Sequence, residues 1–174
     1  MKILVTGAPG SGKTSLANYA LNLKDQRFVD ADEEVNLCEW RNLKTGKILG
    51  LTSEVTDIKD NNWYKANGWY WRLNYLKKLL EKTPSIILCG SSENVTSSYR
   101  YFDKIFILEK TSKELLNNLQ SPDRKNPFGK TTQQRKNFIN WQKYLIKESK
   151  NYNTTLITGN DIGKTYHKII SEIS

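Results

Sequence analysis

The 174-residue chain is poor in the residues that build metal and disulfide sites: two cysteines, Cys38 and Cys89, one histidine, His167, and one methionine. The cysteines have no CxxC pairing and no histidine near them, so they read as buried thiols of a reducing compartment. His167 stands alone in a C-terminal helical pattern and reads as a structural or surface residue. Long apolar runs are also missing. Stretches such as Ile86-Ile87-Leu88-Cys89 stop after four or five residues, which argues against a membrane partner. Met1-Lys2-Ile3-Leu4-Val5 runs directly into a glycine-rich loop without the apolar length of a signal peptide, so a cytoplasmic location is expected. There is no Pro/Gly-rich linker, internal repeat or low-complexity tract. With 37% apolar and 26% charged residues, the chain has the proportions of a globular protein, and residues 1–174 are expected to form a single domain.

What is present in excess is positive charge. Lys and Arg total 27 against 18 Asp and Glu, a formal net charge of +9. Residues 124–150 carry eight of these bases against Glu148 alone, a net of +7, while residues 1–60 sum to −1. A patch of this kind attracts a polyanion, either a nucleotide triphosphate under a lid or nucleic acid. A solvated helix face is the bland alternative for its C-terminal lysines.

Five short aliphatic runs, residues 2–6, 27–30, 85–89, 104–108 and 154–158, lack alternation, as strands buried on both faces of a parallel sheet do. Helical patterns separate them. Leu16, Ala17, Ala20 and Leu21 mark one stripe, and Leu115, Leu116 and Leu119 another after Thr111-Ser112. Trp69, Leu73, Leu76 and Leu80 recur at helical spacing. Ile162, Tyr166, Ile169, Ile170 and Ile173 form the last stripe, with Asp161 as its N-cap. The alternation predicts an α/β fold, a three-layer α/β/α sandwich around a five-stranded parallel sheet. Residues 38–66 fit this scheme poorly. Lys44-Thr45-Gly46-Lys47 reads as a hairpin turn and Asp60-Asn61-Asn62 as a loop. An irregular insertion, about residues 33–68, is where such a protein would grip a second substrate.

Residues 7–14, Gly7-Ala8-Pro9-Gly10-Ser11-Gly12-Lys13-Thr14, match GxxxxGK[ST] between a strand and a helix pattern. Gly7, Gly10 and Gly12 let the backbone curl and aim its N–H groups inward. A helix starting near Lys13 adds its positive end. Lys13 would reach the β- and γ-phosphates, with the Thr14 hydroxyl on Mg²⁺. The loop is a nucleoside-triphosphate site, with Ser11 and Ser15 completing it. The second strand ends Phe28-Val29-Asp30-Ala31-Asp32, followed by Glu33-Glu34. Residues i and i+2 of an extended chain share a face, so Asp30 and Asp32 are presented together. One acid suits a metal-bound water and the other an acceptor hydroxyl. Alternatively, Asp32 caps a following helix.

In this order of features the chain resembles the nucleoside-monophosphate-kinase-like P-loop kinases, and among them the shikimate kinase type. The resemblance covers nearly the whole chain: phosphate loop, Asp-x-Asp, a strand ending Cys89-Gly90, Phe102-Asp103 before strand four, then a basic lid and a closing helix. It implies that Asp32 contacts the acceptor and Asp30 lies near the metal. It makes Arg72, in Gly68-Trp69-Tyr70-Trp71-Arg72, an acceptor-binding candidate, or else an exposed helix cation. Gly90 would also face the acceptor. The lid, about residues 121–135, would bring Arg124 to the phosphates, with Arg135 as second choice. Three features depart from the family pattern. Asn118 stands where an adenine-stacking Arg is usual, Tyr75 replaces an acidic residue, and the glycine run after strand three shrinks to Gly90-Ser91-Ser92. These argue against shikimate as the acceptor.

The expected activity is an ATP- and Mg²⁺-dependent kinase acting on a small hydroxyl- or phosphate-bearing acceptor, with Lys13, Asp32 and Arg124 as catalytic residues. A polynucleotide 5′-hydroxyl is the alternative acceptor, and an ATPase or switch without an acceptor the third reading. Trp63, Tyr64, Trp69, Tyr70 and Trp71 either offer stacking faces to a base or sugar or pack the insertion.

Overall fold

The computed structural model describes residues 1–51, 61–121, 129 and 131–173. In chain order the described strands are β1 (Lys2–Thr6), β2 (Phe28–Asp30), β3 (Cys38–Asn42), β4 (Ile48–Leu51), β5 (Asn67–Trp71), β6 (Ile86–Cys89), β7 (Lys104–Glu109) and β8 (Thr154–Thr158). The helices are α1 (Lys13–Asn22), α2 (Asn61–Ala66), α3 (Leu73–Lys82), α4 (Val95–Ser98), α5 (Ser112–Gln120), α6 (Thr132–Glu148) and α7 (Ile162–Ile173).

Five strands form one parallel sheet in the order β2-β6-β1-β7-β8. Its strands are the five aliphatic runs, and the reason for their unbroken apolarity is visible in the packing. Leu4, Ile86, Leu88, Ile105 and Ile107 point to one side, against Leu76 and Leu80 of α3 and Leu145 of α6. Their chain neighbours Ile3, Val5, Ile87, Phe106 and Leu108 point to the other, against Leu16, Ala17 and Ala20 of α1 and Ile169 of α7. Each fully buried aliphatic side chain contributes about 1.5–3 kcal/mol. The expected three-layer α/β/α sandwich is the architecture found. Helix ends follow local chemistry: Thr111 and Glu114 close a capping box on α5, and Asp161 Oδ1 accepts from Lys164 N at 2.9 Å at the start of α7.

The poorly fitting insertion folds as a second, antiparallel sheet, β4-β3-β5. The expected hairpin turn joins β3 to β4, where Asn42 Oδ1 accepts from Lys44 N and Thr45 N at 3.1 and 2.9 Å. Three expectations require correction. Asn61 and Asn62 begin α2 rather than a loop; Asp60 lies outside the described residues. Trp69 belongs to β5, paired with Trp40, and α3 starts only at Leu73. The aromatic run Trp69-Tyr70-Trp71 takes the extended backbone such residues favour, so its helical spacing to Leu73 is coincidental. No helix follows Asp32: residues 31–37 are turns, which removes the capping role considered for it.

Candidate active site

All five parallel strands deliver their C-terminal ends to one edge, and the register there is tight: Asp30 lies opposite Cys89, which lies opposite Val5. The loop leaving β1 and Asp30 at the end of β2 therefore meet across a single intervening strand, while Asp32 lies in the turn beyond β2 rather than on the extended strand expected for the pair. Gly7 is wedged so closely that a Cβ would sit 2.6 Å from Ser11 Oγ and 2.8 Å from the Leu108 carbonyl oxygen. Gly12, at φ +101°, is the N-cap of α1, in a left-handed conformation that a side chain rarely adopts. It offers no capping side chain, and the first turn holds no acid. The amides and positive end of α1 thus remain available to an anion.

Lys13 folds back over this loop, its Nζ donating to the Gly7 and Ala8 carbonyls at 2.8 and 3.0 Å. Thr14 and Ser15 are exposed on the first turn of α1, while Ser11 is buried, its Oγ without a partner and its N–H given to Ala8 O at 3.0 Å. Asn118 of α5 reaches across to the loop, donating from Nδ2 to Gly10 O at 2.9 Å. Asp30 is buried and accepts from the Asp32 backbone N–H at 3.0 Å. Asp32 itself opens onto solvent at the sheet edge. The protein crowded round its other sides withdraws water, and the Asp30 carboxylate adds repulsion. Together they push its carboxyl up to about 6 against the pull of Lys13 and the Trp69 indole.

The other expected site residues fall elsewhere. Gly90 is buried beneath Ala31 and Trp71, where a Cβ would lie 2.4 Å from Ala31 Cβ and 2.8 Å from Trp71 Cζ2. Its lack of a side chain serves packing rather than an open pocket. Arg72 donates from Nη1 to Asn36 O at 3.1 Å and lies 3.7 Å from Glu39, on the face of the small sheet opposite Trp69. Asp32 is coupled instead to Cys38 and Trp69 on the other face, so Arg72 and Asp32 are not brought together. Arg135 donates to Gly129 O at 3.1 Å and to Thr132 Oγ1 at 3.2 Å, at the start of α6. Arg124 and most of the expected lid lie outside the described residues.

Two residues of this edge have no motif to announce them. Lys110, just past β7, is buried; its Nζ donates to Gly159 O, and Gln142 brackets its backbone on both sides at 3.0 and 2.7 Å. Asn94 ties the small sheet to the loop after β6 through Trp71. Only tertiary contact reveals either. The described residues contain no cluster of three His, Cys, Asp or Glu arranged to hold a metal. Both cysteines are free, buried thiols whose pKa is pushed far up by that burial, and His167 is exposed.

A parallel sheet in this strand order, with a GxxxxGK[ST] loop after β1 and Asp-x-Asp after β2, defines the fold of the P-loop kinases. Comparison with solved structures supports that assignment. The shikimate kinase from Acinetobacter baumannii, in complex with shikimate, superposes with a TM-score of 0.63 at 15% identity, covering 98% of this chain and 91% of that one. A deoxyadenosine kinase from M. mycoides with bound dATP gives 0.60 at 11% identity over 99% of both chains. A gluconokinase from Sinorhizobium meliloti 1021 gives 0.53 at 13%, covering 98% of this chain and 89% of that one. No family model and no curated protein sequence matches the chain.

Proposed function

We propose that the protein is an ATP-dependent phosphotransferase that moves the γ-phosphoryl group to the hydroxyl of a small acceptor. The observation that carries this is the register of the parallel sheet, which ends β2 at Asp30 one strand away from a phosphate loop with an uncapped helix behind it, with Asp32 in the turn just beyond. With its pKa pushed up to about 6, the Asp32 carboxylate is suited to take the proton of an acceptor hydroxyl.

In this reading the α1 amides and Lys13 bind the triphosphate, with Lys13 exchanging its carbonyl partners for phosphate oxygens. The acceptor oxygen forms a bond to the γ-phosphorus as the bond to the β–γ bridging oxygen breaks. The hydroxyl proton passes to the Asp32 carboxylate, and ADP leaves. Thr14 and Asp30 are hard oxygen donors of the kind Mg²⁺ takes alongside water and phosphate. The ion, when bound, neutralises charge on the phosphates. Arg124 is the proposed lid cation, with Arg135 as second choice. Calorimetric titration with ATP and magnesium tests the nucleotide half, and acceptor-dependent ADP release tests transfer. Well-folded protein that takes up no ATP or GTP ends the proposal.

A second reading, a polynucleotide 5′-hydroxyl as acceptor, is favoured by α6. Lys136, Lys143 and Lys147, with Lys150 just beyond, recur at intervals that align them on one exposed stripe. Binding of an oligonucleotide that collapses between low and moderate salt would support it.

A further inference from the structure

We infer that the acceptor is an uncharged hydroxyl compound with a flat ring, of the nucleoside type, which lies on the inner face of the small sheet against Trp69 with its hydroxyl at Asp32. This deepens the kinase reading above and rests on it. The argument begins with strand parity. Cys38, Trp40, Trp69 and Trp71 share the face of the β3-β5 pair that meets Asp32; Glu39, Arg41 and Tyr70 share the other.

Among the described residues, the two arginines beside the small sheet, Arg41 and Arg72, are held on its far face. Arg41 lies 2.5 Å from Glu39 and stacks over Tyr70 at 5.1 Å. Arg72 lies 3.7 Å from the same carboxylate and 6.0 Å from the Tyr75 ring, whose hydroxyl donates to Glu34 at 2.8 Å. Glu39 is only 3% exposed. Withdrawing either arginine toward Asp32 would leave a buried carboxylate short of a partner. Among the described residues, the charges acting on Asp32 are Asp30, Glu33 and Lys13, and in the kinase reading Lys13 serves the nucleotide. A carboxylate or phosphate on the acceptor would meet two or three acids there and no spare described cation.

What that face does offer is aromatic surface. Trp40 is buried under Trp63, Tyr64 and Trp69, with ring centroids 4.7, 5.8 and 4.8 Å away. Trp69 meets Trp40 edge-on at 69° and stays partly exposed beside Asp32. A half-covered indole next to a hydroxyl-seeking carboxylate suits a planar group carrying a neutral hydroxyl arm.

The test uses the full chain with ATP and magnesium and four matched acceptor sets: nucleosides, nucleoside 5′-monophosphates, carboxylated polyols including shikimate, and 5′-hydroxyl oligonucleotides. Nucleosides are expected to exceed the anionic sets by about 10²-fold in kcat/KM. Trp69→Leu should raise the nucleoside KM about tenfold while the calorimetric affinity for ATP holds, and Trp69→Phe should recover most of the loss. Calorimetry of nucleosides against the protein with ADP and magnesium gives an activity-free readout. Preference for any anionic set, oligonucleotides included, overturns the inference, as does absence of nucleoside binding or a nucleoside KM indifferent to Trp69→Leu. Failure of the kinase reading is a separate result: no nucleotide uptake at all.

Discussion

Asn94 holds Trp71 by both sides of its backbone. The Asn94 carboxamide oxygen accepts from Trp71 N at 2.9 Å, and its Nδ2 donates to Trp71 O at 2.9 Å. A single side chain thus imitates a neighbouring strand on the free edge of β5. The backbone of the preceding residue extends the imitation, with Glu93 N donating to Trp69 O at 2.7 Å. Ser92 Oγ steadies the carboxamide at 3.0 Å. Since this loop continues directly from β6, the small sheet is anchored to the same parallel edge that carries Asp30 and Asp32.

Asn94→Ala should therefore destabilise the protein by about 1–3 kcal/mol, because it strands a donor and an acceptor on Trp71. It should also raise the acceptor KM more than the ATP KM, since it loosens one substrate's platform and not the phosphate loop. Urea unfolding and two-substrate kinetics read both effects. A midpoint within error of the wild type would show that the clamp holds nothing.

Gly90→Ala should cost about 1–3 kcal/mol or more, as overpacking of a tight core does. Neither the Ala31 Cβ at 2.4 Å nor the Trp71 ring at 2.8 Å is the loose end of a flexible chain. Thermal melts decide the matter. If the variant keeps full stability but loses acceptor affinity, Gly90 faces the substrate after all.

These two residues show which parts of the molecule could be read without its structure. The five parallel strands were legible because both their faces are buried, so apolarity runs unbroken from Ile86 to Cys89. The phosphate loop was legible because its glycines answer a local steric demand. The small sheet was not. Cys38, Glu39 and Trp40 are all buried, so no alternation marks β3, and Glu39 is inside only because Arg41 and Arg72 accompany it. Arg72 looked like a free cation for the same reason: its partner lies more than thirty residues away. Trp69 fell into a helical spacing by chance. The site half made of local motif was visible, and the half made of tertiary pairing was not.

Lys13→Ala should lower turnover by about 10³-fold, the scale of losing one charged donor to a developing oxyanion. The protein should still fold, because the ammonium's hydrogen bonds to the Gly7 and Ala8 carbonyls lie in a loop at the sheet edge rather than in the core. Steady-state rates at saturating acceptor, with circular dichroism as the folding control, measure this. Turnover within tenfold of wild type would remove Lys13 from the transfer step.

Asp32 gives the last expectation, and its sign can be worked out. The carboxyl is pushed up to about 6 from an ordinary value of 3.8, so between those values the folded protein binds a proton that the unfolded chain has released. Stability from this group therefore falls as pH rises from about 4 to 6, and above 6 the folded state carries the full burden of the ionised acid. Catalysis runs the other way, since only the carboxylate can accept the hydroxyl proton. The acceptor kcat/KM should rise about tenfold per pH unit below 6 and level off above it. Asp32→Asn should abolish that limb together with the turnover, retain ATP binding, and melt higher than the wild type at pH 8 but not at pH 4. A wild-type profile flat from pH 5 to 8, or a variant less stable at pH 8, would mean that Asp32 holds the structure together instead of taking the proton.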